Sequence, residues 1–257
     1  MARTPEQIAS LNDALRLGVA KGDEEMIRLG LEKGGGPDFY LTEVSNRGAL
    51  GKQSEDMLLL ALKKGGDPNL LLFAAIEGRV MSAAKLAVEQ GGADVNCTHA
   101  RPGKPETVTI AEWSYRNFNS DISDYLCGRG MNVDIQSADG ATNLLRAVND
   151  RIPERALHYL KHGANPFIAD ADGIFPLRVT QDCNFRDGRF YEKKDELIRA
   201  MLKNVPDEAD QPAPSPSAPF NAVVTANDVS VNHPLELKCA DNAAPPPREK
   251  PAKGFQL

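Results

Sequence analysis

The sequence predicts an all-α solenoid of about six stacked helix-turn-helix units with short hairpin loops, followed by a disordered proline-rich tail. Three observations lead there. A short phrase returns along the chain as GGGPD from Gly34, GGDPN from Gly65, GADVN from Gly92, GMNVD from Gly130 and GANPF from Gly163, with a period of about 33 residues. An apolar run precedes each glycine, as Ala156 to Leu160 precedes Gly163. Past Val205 the composition changes, and more than half of the 18 prolines lie beyond it. A repeat of this length is one small helical unit that buries its apolar face only against its neighbours.

Each repeat element has a physical reading. Glycine after an apolar run closes a helix in the left-handed conformation at least cost, so Gly34, Gly65, Gly130 and Gly163 read as helix stops. Pro37, Pro68 and Pro166 follow three residues later, where the helix has ended. Small residues such as Ala74, Ala75 and Ala147 allow close approach in the first helix of a unit, and Leu, Ile and Met of the second fill the space between layers. Counting back from the stops gives a degenerate first unit holding Leu15, Met26, Ile27 and Leu31. A second lies around Met57 to Leu62, a third from Leu71 to Val88, a fourth from Thr107 to Cys127, a fifth from Asp139 to Asn165, and a sixth runs from Asp172 to Leu202.

The spacing is uneven. Between Gly65 and Gly92 the hairpin residues are missing, whereas HARPGKPE (99–106) lengthens the next interval, and NFRDGRFYEKK (184–194) reads as an insertion between the helices of the sixth unit. Insertions in stacked repeats fall on exposed loops and often on a binding face.

The fifth unit, DGATNLLRAVNDRIPERALHYLKHGAN, and the opening DGIFPL from Asp172 resemble the ankyrin repeat. Asp139, Gly140, Thr142, Leu144, Ala147, Leu160, Gly163 and Ala164 fall on the family pattern in register. The resemblance extends over roughly four fifths of the chain and is strongest from about 71 to 180. It implies a right-handed stack over a repeat domain at 1–204, with a tail at 205–257, and a non-enzymatic scaffold or adaptor gripping a protein partner by the concave face and hairpin tips. Carried over position by position, the partner-binding candidates are Ile76, Glu77 and Arg79 in the third unit and His99 and Arg101 on the inserted loop. To these it adds Ala138, Asp139, Ala141, Asn149 and Asp150 in the fifth unit, and Asp172 and Ile174 in the sixth. Trp113 matches an inward-facing slot of the fourth unit, near Tyr115 and Phe118.

Composition narrows the classes. The net charge of −6 comes with no basic stripe, which argues against nucleic acid or an anionic membrane as partner. No apolar run reaches the roughly 18 residues of a membrane helix, and the N-terminal MARTPEQIASLNDAL has no export-signal pattern. Cys97, Cys127, Cys183 and Cys239 are scattered without a C-x-x-C pair, as in a reducing cytoplasm. A cytoplasmic monomer without cofactor is the expectation. The alternative is a bacterial effector, delivered to a host cell, whose tail is the docking or secretion signal.

Catalytic signatures are missing from the sequence. There is no G-x-x-x-x-G-K-[ST], and Gly34 to Gly36 is accounted for as a helix stop. His158 and His162 share a helix face, yet HYLKH lacks the glutamate of H-E-x-x-H and an obvious third ligand, so they read as surface histidines of a second helix, with no metal. Cys127 reads as a small hydrophobe at a helix end, and Cys183 as an exposed thiol without an activating base. In the tail, 223–237 has a half that alternates with period two and could add to a partner's sheet, and the terminal Phe255-Gln256-Leu257 looks like a ligand for a carboxylate-binding pocket.

Overall fold

A short relay of side chains holds the repeat together, and it starts from the recurring phrase. In the computed structural model, which describes residues 4–100, 107–182 and 188–204, the Asp or Asn at the third position of four of the five phrases accepts the amide two residues on. Asp67 Oδ1 takes Asn69 N–H (2.8 Å), Asp94 takes Asn96 (2.9 Å), Asn132 takes Asp134 (3.0 Å) and Asn165 takes Phe167 (2.9 Å). This is the Asx turn that these residues favour. The Asp or Asn that ends a phrase reaches the next repeat: Asp38 Oδ1 accepts from Asp67 N–H (2.7 Å), Asn69 from Asp94 (2.9 Å), Asn96 from Asn132 (2.7 Å) and Asp134 from Asn165 (2.9 Å). The relay begins at Asn12, which accepts from Gly36 N–H at 2.8 Å. It stops at Phe167, where the phrase has no second acceptor.

Six helix pairs hang on this relay among the described residues. They are α1 (Pro5–Lys21) with α2 (Glu24–Glu32), α3 (Pro37–Asn46) with α4 (Glu55–Lys63), and α5 (Pro68–Gly78) with α6 (Met81–Lys85), the last continuing as a π-turn over Leu86–Gln90. Then come α7 (Ile110–Arg116) with α8 (Ser120–Gly128), α9 (Asn143–Asn149) with α10 (Pro153–Lys161), and α11 (Pro176–Asp182) with α12 (Gly188–Lys203). The first members pack on one another in chain order, and α2, α4, α6 and α8 form an outer row. The helix stops are as expected: Gly163 sits at φ +83° and Gly65 at φ +92°, conformations in which a Cβ is strained.

Where the structure departs from the sequence reading, the reasons are local. Pro37 and Pro68 begin helices as well as following helix stops, since proline at the first helical position loses no hydrogen bond. The second unit therefore has a first helix, α3, that the sequence reading passed over, with Tyr40, Leu41 and Val44 fully buried. The long interval before the fourth unit carries a two-stranded antiparallel ribbon, β1 (Thr98–Ala100) with β2 (Thr107–Thr109), with His99 opposite Val108. Much of the expected insertion at 184–194 is helical, because α12 starts at Gly188 and Phe190 is 1% exposed in the core. The expected tail at 205–257, with its two candidate short motifs, and Cys183 and Cys239 lie outside the described residues.

The core runs continuously from Leu15 to Met201. The first helices are crowded where they contact the second ones: a Cβ on Gly30 would come within 2.7 Å of Leu15 Cδ2. Thr109 and Thr142 cap α7 and α9 by accepting from Glu112 N–H (3.1 Å) and Leu145 N–H (3.2 Å). No helix among the described residues is long and apolar enough to cross a membrane.

The relay makes a testable demand at Asp134. Burial raises its carboxyl above the ordinary value, against the Asn165 amide, which lowers it. A carboxyl raised above its unfolded value of about 3.9 contributes stability below that pH and loses it as pH climbs through the folded value. Asp134→Asn keeps the acceptor and removes the titration. Urea unfolding should therefore show the Asn variant improving relative to wild type from about pH 4 to about pH 7, while Asp134→Ala loses about 1–2 kcal/mol. An Asn variant whose relative stability does not change with pH would contradict the assignment.

Candidate functional site

The sequence-derived candidates fall into two separate groups on the fold. At the starts of the first helices, the hairpin tips of the fifth and sixth units meet: Ala171 N–H points to Asp139 O at 3.5 Å, and the Gln136 amide donates to both Gly140 O (2.6 Å) and Ala169 O (2.8 Å). Gly140 is at φ +77°, and a Cβ there would lie 2.7 Å from Ala171 N, so this contact needs glycine. Ala138, Asp139, Asp172 and Ile174 are exposed on these tips, Ile174 at 41%. Asp139 is also braced: Arg146 Nη2 reaches both of its oxygens at 2.8 Å and Ser137 Oγ at 2.7 Å. Burial works against the Asp139 charge, and the Ala141 amide, Ser137 and Arg146 outweigh it, holding the carboxyl below its usual range.

At the opposite ends of the first helices lie Glu77 in the last turn of α5 with Arg79 as its cap, and Asn149 at the end of α9 with Asp150 as its cap, all exposed. Arg79 closes α5 in the left-handed conformation at φ 55°. Glu77 accepts from Ser45 O–H at 3.1 Å, and Asp150 accepts from Tyr115 O–H. Arg155 covers the Tyr115 and Phe118 rings at 5.2 and 4.9 Å and donates to Tyr115 O at 3.2 Å. Burial first and Asp150 second raise the Tyr115 phenol well above its ordinary value. Asp150 thus also ties α9 to α7.

Two candidates are corrected. Ile76 is 1% exposed and Ala141 8% exposed, so both belong to the core and offer a partner almost nothing. The alternating exposure of a helix end and a hairpin put them one position away from the surface. His99 is half-buried on β1 with its ring 4.8 Å from Phe73, and Arg101 lies outside the described residues. Trp113 takes its expected inward place: it is 8% exposed and donates from Nε1 to Phe73 O at 3.1 Å.

The polar seam between α8 and α10 was not legible in the sequence. His158 and His162 face α8, where His158 Nε2 is 2.7 Å from Ser123 Oγ and His162 Nε2 is 2.5 Å from Asp124 Oδ1. Lys161 Nζ adds a third contact to Asp124 at 3.2 Å. Cys127 completes a group in which one donor atom each from Cys127, His158 and His162 lies within 4.8 Å of the others. The missed signal is the repeat period, which sets residues about 33 apart side by side on stacked second helices.

Burial holds both thiols of the described residues toward the protonated form. Burial, then Asp94 and Asp67, push Cys97 up to about 11, and burial leads in raising Cys127 to about 11. A cysteine nucleophile needs the opposite shift.

A solved structure shares the architecture. No family model matches the chain. The crystal structure of the ankyrin repeat domain of Bcl-3, a member of the IkappaB protein family, superposes on 76% of this chain and 87% of its own, with a TM-score of 0.53 and 18% identity. The chain has the ankyrin-repeat fold. That fold is generally a protein–protein interaction module. The E3 ubiquitin-protein ligase Ufd4 of Drosophila melanogaster is 30% identical over 106 residues, which make up 41% of this chain and 4% of that protein. The chain therefore matches only a small part of the ligase's length.

Two outcomes follow from this ankyrin surface. In a double-mutant cycle, Tyr115→Phe and Asp150→Ala should couple by about 1 kcal/mol, and a coupling near zero would leave Asp150 without its bracing role. Alkylation followed peptide by peptide should show Cys97 reacting far more slowly at neutral pH than the same peptide in urea.

Proposed function

We propose that this chain is a non-enzymatic scaffold or adaptor whose ankyrin repeats grip a protein partner by the paired hairpin tips of the fifth and sixth units and the adjoining concave face. The observation that carries the reading is the exposed apolar Ile174 beside Ala138, Asp139 and Asp172 on tips whose backbones are locked together. A locked loop loses little conformational entropy on binding. Asn149, Asp150, Glu77 and Arg79 extend the candidate surface to the other ends of the first helices. The likeness to Ufd4 covers 4% of that protein, and its ligase activity is not carried over.

Pull-down from native lysate with mass-spectrometric identification tests this. The full chain should capture a partner that is lost with Ile174→Arg combined with Ala138→Arg and kept with an exposed substitution on the outer helices, Leu29→Arg. Loss of capture on removal of 205–257 instead, with the tip variant still binding, would transfer recognition to the tail and favour the effector reading.

A further inference from the structure

The seam between the fourth and fifth helix pairs gathers four ligand-type side chains from two helices. Asp124 and Cys127 are three apart on α8, and His158 and His162 are four apart on α10, so each pair shares one face of its helix. His162 ends α10 as its cap residue. The two faces oppose each other: Asp124 Oδ1 is 2.5 Å from His162 Nε2 and 3.8 Å from His158 Nδ1. Donor atoms of Cys127, His158 and His162 fall within 4.8 Å of one another. We propose that Cys127, His158 and His162, with the Asp124 carboxylate as fourth ligand, bind one Zn²⁺ ion that clamps α8 to α10.

The donor set and its surroundings fit that ion. One thiolate, two imidazoles and one carboxylate are the ligand types that tetrahedral zinc takes. Bond lengths of about 2.0–2.3 Å place tetrahedral donors roughly 3.3–3.8 Å apart, so the Cys127, His158 and His162 donors draw in from within 4.8 Å while Asp124 Oδ1 moves out from its 2.5 Å contact with His162 Nε2. The outer contacts are also in place. Ser123, fully buried, holds His158 Nε2 at 2.7 Å and leaves Nδ1 toward Asp124. This is the second hydrogen bond that orients a ligating imidazole. Tyr159, also fully buried, has no hydrogen-bond partner for its hydroxyl among the described residues and interacts electrostatically with Cys127. A metal-bound thiolate would offer it a neighbouring acceptor.

Access and charge balance allow the site to load. The Asp124 side chain is 40% exposed, while those of His158 and His162 are 9% and 19% exposed, so the ion enters past the carboxylate and settles against the imidazoles. Binding replaces the Cys127 S–H bond with a zinc–sulfur bond and releases the proton to solvent. Thiolate and carboxylate then neutralise the ion. Lys161, 66% exposed, must swing away from Asp124, and an exposed pair of this kind resists weakly. Four protein ligands leave no open position, so the site is structural: it joins two repeats across their second helices and does not touch the hairpin-tip residues.

Cobalt titration of the full, untagged chain, stripped of metal and kept reduced, decides the question. One Co²⁺ per chain should give a thiolate-to-cobalt charge-transfer band with the visible bands of a tetrahedral site, and one equivalent of Zn²⁺ should bleach both. Cys127→Ser should abolish the charge-transfer band, and His158→Gln, His162→Gln and Asp124→Asn should each weaken binding by at least ~10-fold. Cys97→Ser should change nothing. Absence of the band in the wild-type chain, or its survival in Cys127→Ser, overturns the proposal. Should the variants fail to fold by circular dichroism, zinc titration of the wild-type chain settles it: uptake of one Zn²⁺ per chain with release of the thiol proton supports the site, and no stoichiometric uptake rejects it.

Discussion

The relay of backbone amides into Asp and Asn side chains is the constraint on which the stack depends. A turn between helices leaves amide groups that the helices cannot satisfy, and an intramolecular hydrogen bond to such a group contributes about 0.5–1.5 kcal/mol. Here one side chain satisfies the amide two residues on and the next reaches into the following repeat, so closing a turn and setting the step to the neighbour are the same act. The rungs join residues 29, 25, 36 and 31 apart. Repeat length varies and the rung does not, because the variation is pushed into hairpins and inserted ribbon away from it.

Packing then follows the rung. Proline at the start of α3 and α5 allows a helix to begin inside the phrase itself, and the hairpin is dispensed with in those units. In the later units the chain first runs out into a hairpin and returns, and the fifth and sixth tips touch through Gly140 and Gln136. The result is a graded molecule: compact turns in the early repeats, and projecting, mutually braced loops in the late ones.

The second helices do a different job. Leu126, Ala156, Tyr159 and Leu160 bury the seam between the fourth and fifth pairs, and its rim is polar: Ser123 and Asp124 against His158, Lys161 and His162. Apolar residues there serve the layer packing common to every repeat. The ionisable rim joins this pair by hydrogen bonds between side chains, as Tyr125 and Arg129 join Glu89 one layer earlier.

Much of this was legible in the sequence. Repeat number and the helix stops at Gly65 and Gly163 follow from a glycine that must take positive φ and an apolar run that must be covered, while the ankyrin-repeat fold and the inward Trp113 were read from the resemblance of the repeat units to the family pattern. Local chemistry sets these, so local sequence shows them. Other features needed the tertiary structure. Ile76 and Ala141 were one position off the surface, because the twist of a helix end is fixed by its neighbour's packing. The start of α12 inside an expected insertion was decided by a core slot for Phe190. Cys127 and Asp124 met His158 and His162 only when two repeats stacked, since proximity across a solenoid depends on the registration of layers, and no spacing within a single repeat encodes it.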